Sequence, residues 1–371
     1  MGASGQLSPE LSARVGALAR GLGPALFEEL ARASDWIADD LAARLGMVAW
    51  EREEQIGLAQ RGLLALDAHR FPRSRRRPGQ PVRVRELRAQ PLAALELAWR
   101  ALRRGRQVHV ETEAEACPAV LRLFEGMQDR FESKLGEAVL HLSEPGVFDH
   151  PRSDWLRAGP WPGLERVALV QADADLELAA YLLARACLRR TGFDPRVIHR
   201  VLTVGPAGAL ERNLRRLWVG VKMGGVDDEQ AFAGPVDERR AAAYLDAEAR
   251  WRAHPGVRTV CPGARLLRPD PGVYLAPALF ALEACAEAEA SAASLAELPE
   301  MHGPMVVLIP VVGEGAQARA EGLLDALAPP GHGRVRFGGK VRGAQLSIDE
   351  SQVHGALLVE RLPPGLPEPR P

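Results

Sequence analysis

With 371 residues, 47% hydrophobic and 26% charged at a formal net charge of −1, the chain can bury a large core, enough for two or three domains or one large α/β unit. No run of about 18 apolar residues occurs, which argues against a transmembrane helix. The opening MGASGQLSPELSARVG has no basic stretch followed by an apolar one and fits no lipidation motif, so a cytoplasmic protein without a membrane partner is expected.

Residues 7–70 predict helices. SPELSARVGALARGLGPALFEELARASDWIADDLAARLG repeats apolar positions at three- and four-residue spacing, with Ser8–Pro9 as a start signal. A second helical pattern runs from about Trp50 to His69. HRFPRSRRRPGQPVRVREL then breaks the regularity with prolines and with Arg73, Arg75, Arg76 and Arg77. A solvated linker is expected there rather than a nucleic-acid site, because Phe71 alone interleaves the cluster with an aromatic ring.

The pattern alternates from that point. PVRVREL reads as a strand, PLAALELAWRALRRG as a helix, QVHVET as a strand, ACPAVLRLFEGMQDRFESKLG as a helix and EAVLHLS as a strand. This β-α-β-α-β order predicts a parallel sheet with crossover helices. The Pro-, Trp- and Gly-rich EPGVFDHPRSDWLRAGPWPGLE reads as a domain boundary. Beyond it RVALVQA is a strand, Leu176 to Arg190 a helix, RVIHRVLTV a strand, and AGALERNLRRLWVGV and DERRAAAYLDAEARWRAH helices. MVVLIPVV reads as a buried strand and GAQARAEGLLDALA as a closing helix, and the tail LPPGLPEPRP is expected to be disordered.

Four cysteines, Cys117, Cys187, Cys261 and Cys285, are scattered with no CxxC, and nine histidines form no ligand pair. Free thiols in a reducing compartment are expected, and no metal site. Lysine occurs only at Lys134, Lys222 and Lys340, which leaves little for Schiff-base or phosphate chemistry. GVKMGG and FGGK lack the spacing of a phosphate loop.

One stretch raises a sharper question. VALVQADADLELAAYLLARACLRRTGFDPRVIHRVL carries a strand, an acidic turn and a helix into a glycine-bearing break. Downstream come AGPVDERRAAAYLDAEARW, PGVYLAPALF and PEMHGPMVVLIPV, and upstream AQPLAALELAWRALRRGRQVHVETEAEACPAVLRLF. In this order, over residues 84 to 312, the segments resemble the aldehyde dehydrogenase superfamily. The resemblance implies an α/β fold with a truncated Rossmann-type parallel sheet domain and a second α/β domain with a parallel sheet that bears the nucleophile. The expected arrangement is N-terminal helices over 1–70, a reduced cofactor-type domain over 71–160, a catalytic-type domain over 161–345, and a partly disordered tail over 346–371.

Chemistry of that family needs a thiolate to attack the aldehyde, a side-chain amide for the oxyanion and a carboxylate to activate water. The resemblance places Asp194 where the thiol belongs, Ala89 at the amide and Trp161 at the carboxylate, with Glu165 the nearest acid. The cofactor-binding lysine falls at Glu111 or Thr112, and of the cofactor contacts only Glu300 remains, followed by His302 in place of an aromatic residue. Between EAVLHLS and RVALV the family's strand-helix unit is missing. His199 and His302 are expected to be structural.

The resemblance therefore implies a degenerate member without NAD(P)-dependent aldehyde oxidation, with no cofactor, acting as a binding or assembly subunit. Family members oligomerise through domain edges, so a homo-oligomer or a hetero-oligomer with an active homologue is expected. The alternative keeps an aldehyde or acyl-thioester oxidoreductase that uses NAD or NADP, with Cys187 as a displaced nucleophile; as a core thiol, Cys187 fits the first reading.

Overall fold

A computed structural model of the protein describes residues 7–68, 81–86, 91–112, 116–143, 156–158, 166–194, 197–282, 298–328, 334–338 and 341–347. The chain divides into two compact units, one of 1–45 and 52–160, the other of 46–51 and 161–371.

The first unit opens with α1 (Pro9–Arg32) and α2 (Ser34–Leu45). The Ser8 hydroxyl accepts from the Leu11 N–H at 3.2 Å and Pro9 sits in the first turn, so the start signal works as expected. Leu11, Val15, Ala19, Leu26 and Leu30 form its buried stripe. Helix α3 (Ala49–Ala68) follows, belonging to this unit from Arg52 onward. Then come β1 (Val82–Glu86), α4 (Ala93–Arg103), β2 (Val108–Thr112), α5 (Pro118–Leu135) and β3 (Leu140–Ser143). The strands run parallel, with the order β3-β2-β1 extended by β4 (Leu156–Ala158) beside β1. A strand thus lies inside the Pro/Trp-rich segment that reads from sequence as a boundary alone. Its three residues are too few for periodicity to show. Helix α4 buries Leu95, Ala98, Trp99 and Leu102, and the Glu86 carboxylate accepts from the Leu92 N–H at 2.8 Å and the Ala94 N–H at 3.3 Å at its start.

In the second unit the elements are β5 (Arg166–Val170), α6 (Leu176–Leu188), β6 (Ile198–Val204), α7 (Gly208–Gly220), α8 (Glu238–Ala253), β7 (Val257–Cys261), β8 (Ala264–Leu266), β9 (Tyr274–Ala276), β10 (Ala278–Leu282), β11 (Met305–Val311), α9 (Ala316–Leu327), β12 (Arg334–Gly338) and β13 (Val341–Ser347). Seven strands form one sheet in the order β13-β12-β5-β6-β11-β10-β7, parallel from β12 to β10 and antiparallel at both borders. Side chains alternate along the strands. Ala168, Val170, Val201 and Leu308 pack with α6 and α7, while Val167, Leu169, Leu202, Val307 and Ile309 pack with α8 and α9. Helices therefore cover both faces, and that is why β11 reads as one unbroken apolar run. Strands β7, β8, β12 and β13 went unanticipated in the sequence. Arginines interrupt each of them, and β7 is only half-buried. The tail beyond Ser347 lies outside the described residues, as do the Arg73–Arg77 cluster and Cys285. No helix among the described residues is long and apolar enough to cross a membrane.

Candidate functional site

The acidic turn before α6 is a helix cap. The Asp175 carboxylate accepts from the Glu177 and Leu178 N–H groups at 3.1 and 3.0 Å. Helix α6 is almost wholly buried from Ala179 to Leu188. It ends at Leu188, two residues before the Arg190 that periodicity predicts. The chain then turns through three residues in succession with left-handed backbone: Arg190 (φ 50°, ψ 38°), Thr191 (φ 51°, ψ 41°) and Gly192 (φ 78°). Such a conformation costs about 1–2 kcal/mol for a residue with a Cβ, so the surroundings must hold it.

They do so from three directions. A Glu51 carboxylate oxygen accepts from the Arg190 N–H, and its second oxygen accepts from the Val48 N–H at 3.2 Å. The Thr191 hydroxyl donates to the Gly234 carbonyl at 2.7 Å. A Cβ on Gly192 would lie 2.1 Å from the Gly303 carbonyl carbon and 2.2 Å from the Pro304 nitrogen, so only glycine permits this backbone-to-backbone contact. Gly303 in turn sits against Tyr244 and Phe193. Segments TGFDP, PEMHGP and AGPVDERRAAAYLD, separate in sequence, thus meet at the turn.

The side chains at this place are charged and dry. Asp194 is 2% exposed, and its Oδ2 lies 3.2 Å from Arg189 Nε. Arg190 is buried, and burial lowers its guanidinium to about 10. Burial pushes the Glu51 carboxyl up to about 7, against the opposing pull of the Arg190 N–H, the Arg189 and Arg190 guanidinium groups and the Val48 N–H. Next to it the Trp50 indole N–H donates to the Phe232 carbonyl at 2.9 Å, and the ring stacks on Phe232 at 5.0 Å.

Cys187 is 0% exposed and its thiol donates to the Ile198 carbonyl at 2.6 Å. Burial raises it well above the ordinary thiol range. The thiol is thus enclosed in the core, out of contact with solvent. His199 is buried with Nδ1 2.8 Å from the Met305 carbonyl oxygen. Glu300 turns its side chain to solvent, 84% exposed and 3.5 Å from His302 Nε2, while its carbonyl accepts from the Trp251 indole at 3.3 Å. Ala89, Trp161 and Glu165 lie outside the described residues. In the first unit Glu111 is 3% exposed and accepts from the Arg83 guanidinium at 2.8 Å, and the Thr112 hydroxyl faces the Ser143 carbonyl at 3.4 Å. Among the described residues no three His, Cys, Asp or Glu side chains gather as a metal centre would need.

Glu51 and Thr191 are the residues that sequence reasoning missed. Glu51 lies in a plain helical pattern, and nothing local to it points at a turn far along the chain.

No family model and no curated protein matches the sequence. Solved structures do. Methylmalonate-semialdehyde dehydrogenase from Oceanimonas doudoroffii aligns with a TM-score of 0.66 at 15% identity, over 90% of this chain and 74% of that one. An aldehyde dehydrogenase from Bartonella henselae gives 0.65 at 14%, over 84% and 72%. An NAD-dependent benzaldehyde dehydrogenase from Corynebacterium glutamicum gives 0.61 at 16%, over 89% and 77%. By these likenesses, and with its parallel sheets and crossover helices, this chain has the aldehyde dehydrogenase fold.

Proposed function

We propose that this protein keeps the aldehyde dehydrogenase fold without the parent chemistry and works as a binding or assembly subunit, pairing with itself or with an active protein of the same fold. One observation carries the reading. At the turn where a thiol would be presented, the side chain of Asp194 is buried against Arg189, and Cys187 behind it is sealed in the core. Aldehyde oxidation by this route needs a thiolate that can reach the carbonyl carbon, because the tetrahedral adduct is what gives up hydride. A carboxylate held by a guanidinium in a dry site forms no such adduct.

The residues of the first unit do not fit a nicotinamide dinucleotide either. Where the family resemblance places a lysine, at Glu111 or Thr112, the chain offers a carboxylate already bonded to Arg83 or a hydroxyl. A negative group there repels a pyrophosphate. Free cysteines, Cys117 and Cys187 buried and Cys261 half-buried, suit a reducing compartment such as the cytoplasm.

Purified protein incubated with benzaldehyde or a short aliphatic aldehyde and either NAD or NADP is expected to form no reduced cofactor, and neither nucleotide is expected to raise its melting temperature. Steady reduction of either cofactor sinks the reading. Light scattering after gel filtration is expected to find a mass above that of one chain, alone or with an active dehydrogenase added.

A further inference from the structure

Strands β1, β2 and β3 form a parallel sheet, yet they do not read as the apolar runs usual in such sheets, as β11 does in the second unit. They alternate. Val82, Val84, Val108, Val110 and Leu140 are buried, and between them stand Arg83, His109 and His141, paired across the three strands in direct register. These three side chains therefore make one row on one face of the sheet. The His109 and His141 rings are stacked, with centroids 4.5 Å apart and 20° between their planes. Both residues are half-buried. Geometry sets the protonation of the row. Gln107 Nε2 lies 2.7 Å from His141 Nε2, and an amide nitrogen only donates, so this ring nitrogen accepts and carries no proton. The Ala138 backbone bonds the same ring, so His141 is held as the neutral imidazole. A proton on His109 would sit in the stack against His141 and beside the Arg83 guanidinium, and two imidazolium rings at that distance repel.

We propose that the Arg83–His109–His141 row is an acid-sensitive switch of the first unit: with both rings neutral β2 and β3 stay joined along it, and acidification drives the two strands apart. The sign follows from linkage. A solvated histidine takes up its proton near pH 6.5, whereas a ring held neutral in the stack takes it up lower, so the opened strands bind protons that the closed ones refuse. The stability that the row supports is complete above about pH 6.5 and falls as pH drops below it. Burial, then His141 and Arg83, push His109 down to about 4, and burial lowers His141 as well.

Two acids among the described residues face the row. Glu111, on β2, has its Oε2 2.8 Å from the Arg83 guanidinium and so partly neutralises it, which leaves the contact of ring on ring as the stronger repulsion. Glu132, exposed on α5, favours the charged form of His141, as the Ala138 backbone does, but burial outweighs both. Arg83 keeps its charge throughout. The switch belongs to the first unit and holds whether or not the protein works as an assembly subunit.

Hydrogen exchange followed by mass spectrometry between pH 7 and 5, corrected for the intrinsic exchange rate, tests it on the intact chain and stays above the range in which ordinary carboxylates titrate. Peptides covering β2 and β3 are compared with one from α9. Below pH 6.5 the opening of β2 and β3 is expected to grow by about tenfold per pH unit for each ring that stays neutral in the stack, while α9 loses no protection. The double variant His109→Phe/His141→Phe keeps two flat rings that take no proton, and its profile is expected to be flat. An equal slope in that variant overturns the proposal. Should the variant fail to fold, the wild type decides alone: protection of β2 and β3 that stays constant relative to α9, or that grows as pH falls, overturns it.

Discussion

Replacing Gly192 by alanine tests the turn more directly than any change of charge. Two separate costs arise. At φ 78° the new Cβ meets its own backbone, a cost of about 1–2 kcal/mol. That Cβ also lies 2.1 Å from the Gly303 carbonyl carbon, 2.2 Å from the Pro304 nitrogen and 2.4 Å from the Gly303 oxygen. All three atoms are backbone, so no rotamer relieves the overlap and two segments must part, at about 1–3 kcal/mol. The sum is about 2–5 kcal/mol. Gly205→Ala supplies the comparison, because Gly205 has φ 94° but nothing within 4 Å of a Cβ. It carries the conformational cost alone. Equilibrium unfolding in guanidinium chloride, read through the buried Trp218 and Trp251, is expected to separate the two variants by about 2 kcal/mol. Equal losses, or a loss below about 1 kcal/mol for Gly192→Ala, would show that the turn does not rest on Gly303.

Other expectations follow from the same site. Glu51 has its carboxyl raised from the ordinary 4.5 to about 7. A raised acid adds stability that is complete below 4.5 and disappears as pH climbs through 7, so the second unit is expected to lose about 3 kcal/mol over that window; denaturation midpoints that rise from pH 5 to 8 contradict it. Trp50→Phe keeps the stacking on Phe232 but strips its carbonyl of a buried donor, at about 1–3 kcal/mol in the same unfolding assay. Cys187 is expected to resist a thiol reagent in the native protein and to react at once in denaturant; fast native labelling lost in Cys187→Ala restores the oxidoreductase reading.

The alternation of strands and helices was legible because both elements obey simple periods. Ser8–Pro9, Asp175 and the apolar run Met305–Val311 each announced an element by one physical signal, a cap or burial on both faces. Border strands were not legible, since β12 reads Arg-Val-Arg-Phe-Gly and its identity depends on a parallel neighbour, β5, far back in the chain. The ordered motifs led to the correct fold. They could not show that Gly192 touches Gly303, nor that Arg190 and Thr191 would adopt a glycine-like backbone, because that conformation is imposed by Glu51 and Gly234 from a distance. The extension of α6 to Arg190 failed for the same reason. Helical propensity continues through the arginines, and tertiary contacts end the helix at Leu188.

The bond from the Cys187 thiol to the Ile198 carbonyl also bears on how motion spreads. It joins the last turn of α6 to the first residue of β6, eleven positions on, and so clasps the base of the loop that contains the turn. The helix end and the strand start stay together, so a disturbance at residues 190–192 passes to Gly234 and Gly303 rather than along α6 or β6. Mechanically, the thiol here serves as a rivet.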